Sequence, residues 1–392
     1  MRWYTCTPRD YEGGDDFFSR DTGLLCRGFS QIGIESRAIM IGAPRHSDNP
    51  AVMRADIKKL ESPAWWASFK LDGVVLYAWG RPRYLNIAKA IRKAGIVLVL
   101  HQDSGGIISP LSGIRNWLSD QKNITGNFSA FLRSVTRGMT LGFFMTDPLR
   151  AIHLRQGDII GCVTPMAVSN YRKICRVYGG KSLADRVELI PHAVETAFFY
   201  SGVTKKKQIV SIGRWSDEVQ KRQRLMTEVF SMLLSLDASV SFVIAGETTD
   251  HLRQWHYALD KDSQARVRLC GRFDRAQLAS LLDESQVFYS PSAYESFGIA
   301  AAEALCSGSS VVAHRSVSMA SFEWFVSEKS GTLANEDSTD AHVRALTSEL
   351  EAWDKNHRNA SSISEIWRKR LHADQVASEV VKLLPNRLGG AL

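Results

Sequence analysis

Glu295 and Glu303 stand eight positions apart, with Phe297-Gly298 between them and Gly308 just beyond. If a helix starts near Phe297-Gly298 and stops at Gly308, the carboxylates lie on the order of 12 Å apart at 1.5 Å per residue. That span suits two acids gripping sugar or ribose hydroxyls at either end of a diphosphate. A carboxylate accepts hydrogen bonds from a diol but repels phosphate, so the phosphates need separate cations. The run from Ile209 to Arg222 supplies them, with Arg214 suited to bidentate contact and Lys221 to compact charge. Free N–H groups and the positive dipole end of the helix at Gly298 would face the same anion. A plainer reading stays open, in which Glu303 is a surface helix residue and Arg214 a salt-bridge partner.

Side chains from such distant positions meet only at the carboxyl edge of a parallel sheet, where open α/β sheets bind ligands. Short β-rich apolar runs alternating with helical patterns predict one such sheet in each half of the chain. Strands are expected at 37–41, 73–78, 96–101, 159–164 and 187–190, then at 208–212, 241–245, 267–269, 287–290 and 310–313. Helices are expected at 85–93, 222–235, 251–259, 275–282 and 299–306. The fold class is therefore α/β, with two doubly wound, Rossmann-like domains. The pattern breaks after Leu189 to Glu195, and Lys205-Lys206-Lys207 precedes a fresh strand. The expected division is 1–196, 197–365 and a helical tail 366–392 that crosses back to the first domain. Within that tail, 363–384 reads as one or two amphipathic helices before a frayed end that starts at Pro385.

Hydrophobic content of 44% and charged content of 23% are ordinary for a globular protein. The six cysteines form no CxxC pair and accompany no histidine cluster, which points to reduced thiols in a cytoplasmic setting and against a zinc site. No apolar start resembles a secretion signal, and the longest apolar runs are strand-sized. The net charge of +8 is uneven: residues 1–195 carry 26 Lys and Arg against 17 Asp and Glu, and the remainder is close to neutral. A basic first half fits either an anionic partner or a solvated face. Nucleic acid is not expected as a partner, because no aromatic-basic interleaving or known binding motif appears.

Taken in order, Gly213-Arg214…Lys221, Ala245-Gly246, Val267…Gly271 and Pro291-Ser292…Glu295…Glu303-Ala304…Gly308 resemble the retaining GT-B glycosyltransferases of group 1 (family 4). The likeness covers roughly 187–315, and its centre is the E-x7-E motif of that family. It implies a GT-B fold, two Rossmann-like domains facing a central cleft, the second holding the donor and the first the acceptor. By that resemblance Glu295 contacts the donor sugar and Glu303 the ribose, while Arg214, Lys221 and the amides of Phe297, Gly298 and Ile299 hold the diphosphate. Backbone around Gly271-Arg272 would sit near the base. Departures are Ser296 where Gly is usual, Ser309-Ser310 for Thr-Pro, and Arg222 where Gly is common. They leave the ionisable groups intact and bear on donor selectivity.

In the first half, the strand ending at His101 carries that histidine to the sheet edge. The resemblance places it beside the donor sugar, as a catalytic or positioning imidazole that is neutral near pH 7. A hydrogen-bonded loop histidine is the alternative. Asp103 is expected to bond His101 or the acceptor. Gly13-Gly14 resembles the family's glycine turn at the donor phosphates, although a plain loop explains it nearly as well, and Gly33 fits the turn after the first helix. Phe128, Phe131, Leu132, Val135 and Met139 recur at helical spacing among Arg115, Lys122, Arg133, Arg137, Arg150 and Arg155. That stripe could face anionic lipid headgroups; packing on its own domain is the commoner fate and the one expected.

The expected reaction is hexosyl transfer from a nucleoside-diphosphate sugar to an acceptor hydroxyl with anomeric retention, in cell-surface glycan synthesis. The expected donor carries UDP or GDP in preference to ADP, the acceptor is a glycan or a lipid-linked glycan, and no cofactor or metal is needed. The one Asp-x-Asp, Asp260 and Asp262, follows a helix and reads as surface. A GT-B nucleotide-sugar epimerase and a non-catalytic nucleotide-sugar-binding protein are the alternatives.

Overall fold

The computed structural model describes residues 1–383 apart from 20, 80, 81 and 328. The frayed end expected from Pro385 lies outside these residues. The chain divides into two units, one comprising Met1–Glu195 with the stretch that begins at Leu371, the other Thr196–Arg370.

The first unit is built on seven strands: β1 (Trp3–Thr7), β2 (Ala38–Ile41), β3 (Val52–Ala55), β4 (Gly73–Tyr77), β5 (Val97–Gln102), β6 (Ile159–Cys162) and β7 (Val187–Leu189). They pair in the order β3-β2-β1-β4-β5-β6-β7, every pair parallel. Alternate residues of each strand face opposite sides, and both sides are buried. Tyr4, Val74, Leu98 and Leu100 enter one core, and Trp3, Val75, Tyr77 and Val99 enter the other. The second core is closed by the helix Ala373–Lys382, whose Val376, Ala377 and Val380 pack with Leu24, Leu25 and Phe29 of the helix Asp21–Gln31. The approach is close: a Cβ on Gly28 would lie 2.2 Å from the Ala373 carbonyl oxygen.

The second unit has six strands: β8 (Lys206–Gly213), β9 (Ser241–Gly246), β10 (Val267–Leu269), β11 (Ser285–Tyr289), β12 (Ser310–His314) and β13 (Gly331–Ala334). They run parallel in the order β10-β9-β8-β11-β12-β13. The predicted helices are present as Leu85–Lys93, Gln223–Leu236, Asp250–Ala258, Arg275–Glu284 and Ile299–Cys306. Strands β3 and β13, at sheet edges and only partly buried, lack the continuous apolar run that marks the other strands.

One expectation is overturned. The apolar stripe from Phe128 does not pack into its own domain: neither the helix Phe128–Arg137 nor the π-helical segment Gly138–Thr146 that continues it has a buried residue. This run meets the helix Ile114–Thr125 through its small and polar side instead. Ser134 Oγ donates to Gln121 Oε1, and Gly138 lies where a Cβ would be 2.3 Å from the Trp117 ring. Phe128, Leu132 and Met139 of the stripe are left facing outward, while Phe131 and Val135 are half-buried.

Candidate active site

In the second sheet the strand order reverses between β8 and β11, so the crevice at their carboxyl ends is the ligand position of an open α/β sheet. Arg214 follows β8, and the segment Ser290–Glu295 follows β11. Trp215 turns inward, almost fully buried, with Nε1 donating to the Ala245 carbonyl at 2.9 Å, which leaves Arg214 exposed at the strand end. Gly246 has φ +116°, and a Cβ there would meet the Gly213 oxygen at 2.0 Å, so β8 and β9 end in close contact.

Lys221 Nζ forms an ion pair with Glu295 Oε1, both side chains largely buried. Ser292 Oγ donates to the same oxygen at 3.0 Å. The backbone of Glu295 is held on both sides: its N–H donates to the Ser318 oxygen at 2.8 Å, and its carbonyl accepts from Ala320 at 3.1 Å. Gln220 ties Arg214 into the same cluster. Its Oε1 accepts from Arg214 at 3.4 Å, its Nε2 donates to the Tyr294 carbonyl at 3.1 Å, and its own carbonyl accepts from Ala293 at 2.8 Å. Arg214, Lys221 and Glu295 are therefore neighbours. No motif singles out Gln220, and its place beside Lys221 is the one signal for it in the sequence.

The helix Ile299–Cys306 begins at Gly298, a left-handed N-cap (φ +73°) with no side-chain cap, so its first N–H groups are not taken by a capping side chain. Phe297 is buried beneath it, and Gly308, at φ +78°, ends it as expected. Glu303 is not a surface residue: it is 3% exposed and pairs with Arg275 Nη2 at 2.7 Å. Arg275 opens the helix after the Gly271-Arg272 turn, and its guanidinium lies 4.5 Å from the Phe198 ring centroid. The sequence reading missed Arg275, because pairing between two separate helices leaves no spacing signal. Arg214, read alternatively as a salt-bridge partner, has no carboxylate partner among the described residues.

Arg222 takes a left-handed conformation at φ +52°, which accounts for glycine being common there in the resembling family. Its Nη1 holds Asp337 at 2.7 Å. Beyond it, His342 uses both ring nitrogens, Nδ1 toward Tyr289 Oη at 2.9 Å and Nε2 toward Asp337 at 3.4 Å. His314, Asp337 and His342 place ligand atoms within 4.8 Å of one another; Asp337 and His342 are engaged in the contacts above, whereas His314 Nδ1 is buried without a hydrogen-bond partner among the described residues. Asp260 and Asp262 are exposed, and Asp260 caps the helix Lys261–Arg266.

In the first unit His101 lies inside β5, fully buried, with Nε2 3.1 Å from the Ile190 oxygen and its ring 4.4 Å from Tyr77. Burial, aided by the neighbouring charge of His192, lowers its pKa to about 3, so it is neutral at pH 7. It is not a loop residue. Asp103 bonds neither His101 nor open space: Oδ1 meets His192 Nε2 at 2.7 Å and Oδ2 accepts from Trp79 Nε1 at 3.0 Å. Burial alone would lower the His192 pKa, but the Asp103 carboxylate outweighs it and lifts the value to about 9. The charged histidine is therefore His192, which lies in the stretch Leu189 to Glu195 where the alternating pattern breaks and no motif marks it. Gly13 is packed by a carboxylate: a Cβ there would fall 2.4 Å from Asp48 Oδ1, within a network in which Arg54 holds Asp48 and Asp10. Gly14 lies beside the Ser47 carbonyl, and Gly33 (φ +79°) follows the first helix as expected.

Two doubly wound, all-parallel α/β units place this chain in the fold class of the GT-B glycosyltransferases. The cluster at the second sheet's switch point falls in the region that matches a family directly: residues 194–364 match Glycosyl transferases group 1, which supports that family for the second unit. A GDP-mannose:cellobiosyl-diphosphopolyprenol alpha-mannosyltransferase of Komagataeibacter xylinus is 30% identical over 179 residues, 43% of this chain and 44% of that relative. The match thus spans less than half the length of the curated relative. Among solved structures, Anabaena Alr3699/HepE in complex with UDP and glucose superposes with a TM-score of 0.60 at 15% identity, over 98% of this chain and all of that one. A glycosyltransferase from Rickettsia africae gives 0.65 at 13% identity over 99% of each chain, and the lipopolysaccharide outer core galactosyltransferase WaaB gives 0.61 at 13% over the whole of both. At such identities the likeness speaks for the fold alone.

Proposed function

We propose that this chain is a retaining hexosyltransferase that moves a sugar from a nucleoside-diphosphate donor to an acceptor hydroxyl. The observation that carries the reading is the Arg214–Gln220–Lys221–Glu295 cluster at the β8/β11 switch point, beside an uncapped helix start. In the reaction the acceptor oxygen bonds the anomeric carbon, the bond from that carbon to the diphosphate breaks with its electron pair, and the hydroxyl proton is released. Arg214, Lys221 and the amides of Phe297, Gly298 and Ile299 stabilise the charge that grows on the departing diphosphate. Glu295 holds the donor sugar, Glu303 the ribose, and the Gly271-Arg272 turn the base. These groups suffice without metal. The first unit takes the acceptor. A lipid-linked glycan acceptor is supported by the relative that acts on a diphosphopolyprenol, and a GDP or UDP donor by the relatives' own ligands; the cytoplasmic face of a membrane is the setting proposed for it.

A thermal-shift panel of GDP-, UDP- and ADP-sugars tests the donor. The matching donor at about 100 times its Kd stabilises by about 2.7 kcal/mol, whereas ADP-sugars leave the melting point unmoved. If none of the three classes shifts the melting point, the donor site is wrongly assigned. The proposed chemistry yields an α-linked product from an α-linked donor by NMR and survives EDTA. Conversion of donor to an epimeric nucleotide sugar without acceptor would replace transfer with epimerisation.

A further inference from the structure

The first unit carries an exposed apolar surface apart from the residues described above. Among nineteen consecutive helical residues, the helix Phe128–Arg137 and its π-helical continuation to Thr146, none is fully buried. Phe128 and Phe144 are 76% and 77% exposed, and Leu132, Met139, Leu141 and Met145 are exposed as well. Soluble surfaces seldom present so many large apolar side chains together without a partner. By helical spacing Phe128, Leu132 and Met139 lie along one edge of the exposed face, while Arg133 and Arg137 lie along the other. With Arg115 and Lys122 of the adjoining helix, four exposed cations stand against the single carboxylate of Asp120 between residues 114 and 146.

We propose that this hairpin seats the first unit on an anionic lipid surface, with the helix Phe128–Arg137 lying among the headgroups. A stripe of phenylalanine, leucine and methionine beside a cationic edge is the composition of an interfacial helix. Charge complementarity selects its occupant. Two copies of this chain meeting through the patch would bring together two sets of four cations with only Asp120 of each to offset them, which is repulsive. An anionic leaflet attracts the same residues while its acyl boundary accepts the rings. No helix among the described residues is long and apolar enough to cross a membrane, so the contact lies on the surface.

The test is sedimentation of the full chain with phosphatidylcholine vesicles, with and without about 30% phosphatidylglycerol. Binding is expected to the anionic vesicles only and to fall about tenfold when salt is raised from about 0.1 M to about 0.5 M. The triple variant Phe128→Ser, Leu132→Ser, Phe144→Ser loses more than tenfold of that binding, and Arg133→Glu with Arg137→Glu loses about tenfold. Both variants keep the parent's circular dichroism and melting point, because none of the substituted side chains is buried. Equal binding of parent and variants, or no preference for anionic lipid, would overturn the proposal. So would absence of vesicle binding together with self-association that the triple variant abolishes, since the patch would then join two copies. The readout involves no sugar transfer, so it stands or falls apart from the enzymatic assignment.

Discussion

The variant Glu295→Gln binds the bare nucleoside diphosphate at least as tightly as the parent, yet turns over its nucleotide sugar about a thousandfold more slowly. The split follows from the Lys221–Glu295 ion pair. In the free protein the carboxylate already engages part of the lysine's charge, and an incoming diphosphate must share that cation. Neutralising Glu295 releases Lys221 wholly to the phosphates while removing the group that grips the sugar. The companion variant Lys221→Met weakens both, with loss of about 10² to 10³ in kcat/KM for one preorganised charge at the leaving group. It also leaves Glu295 largely buried without its cation, so its melting point falls by a few degrees. Isothermal calorimetry with the nucleotide and steady-state kinetics with the nucleotide sugar separate the two effects. Parallel losses of nucleotide affinity in Glu295→Gln and Lys221→Met would mean that the carboxylate serves only to hold the lysine.

The second large effect falls on stability. Asp103→Asn is expected to destabilise the first unit by about 2–3 kcal/mol at pH 7, which lowers its melting point by about 5–10 °C. Buried His192 and half-buried Asp103 form a charged pair at 2.7 Å, with Asp21 3.6 Å from His192 Nδ1. His192 titrates near 9 in the fold against about 6.5 unfolded, so its contribution is complete below about pH 6.5 and fades as pH rises through 9. Asp103 is lowered to about 2, against burial that would raise it, so its share holds above about pH 4 and is lost only in strong acid. His101 runs the other way: because the fold keeps it neutral down to about 3, protonation of the unfolded chain costs stability below about pH 6.5. Stability of the first unit should therefore be greatest near about pH 6.5 and decline toward pH 9, as followed by thermal melts at stepped pH. In Asp103→Asn the alkaline decline disappears, because His192 is no longer held charged. An unchanged alkaline slope in that variant would show that the pair does not govern it.

The contrast between these two sites explains what could be read in advance. Arg214, Lys221, Glu295 and Glu303 could be placed because their setting is local and periodic: a buried apolar strand, a glycine turn, then a helix whose first and last turns are marked by Gly298 and Gly308. Their partners could not. Arg275 meets Glu303 from another helix, and His192 meets Asp103 across 89 positions of chain. Such pairings depend on which strands lie side by side, and no spacing in the sequence records that. The stripe from Phe128 shows the opposite limit. Its period gave the helix, but periodicity is the same whether an apolar edge faces a core or a solvent boundary. Only the fit of Gly138 and Ser134 against Trp117 and Gln121 determined which side turned inward.

The return of the helix Ala373–Lys382 onto the helix Asp21–Gln31 sets a schedule for synthesis. During translation the first 195 residues leave the ribosome with Leu24, Leu25 and Phe29 uncovered, and the residues that cover them follow only after the 175 residues of Thr196–Arg370. At about 5–20 residues per second, that interval lasts roughly ten to thirty-five seconds. For its duration the earlier-made half is an unfinished body with a greasy flank, a natural client for a chaperone. A nascent chain stalled just short of Leu371 would be held in that state.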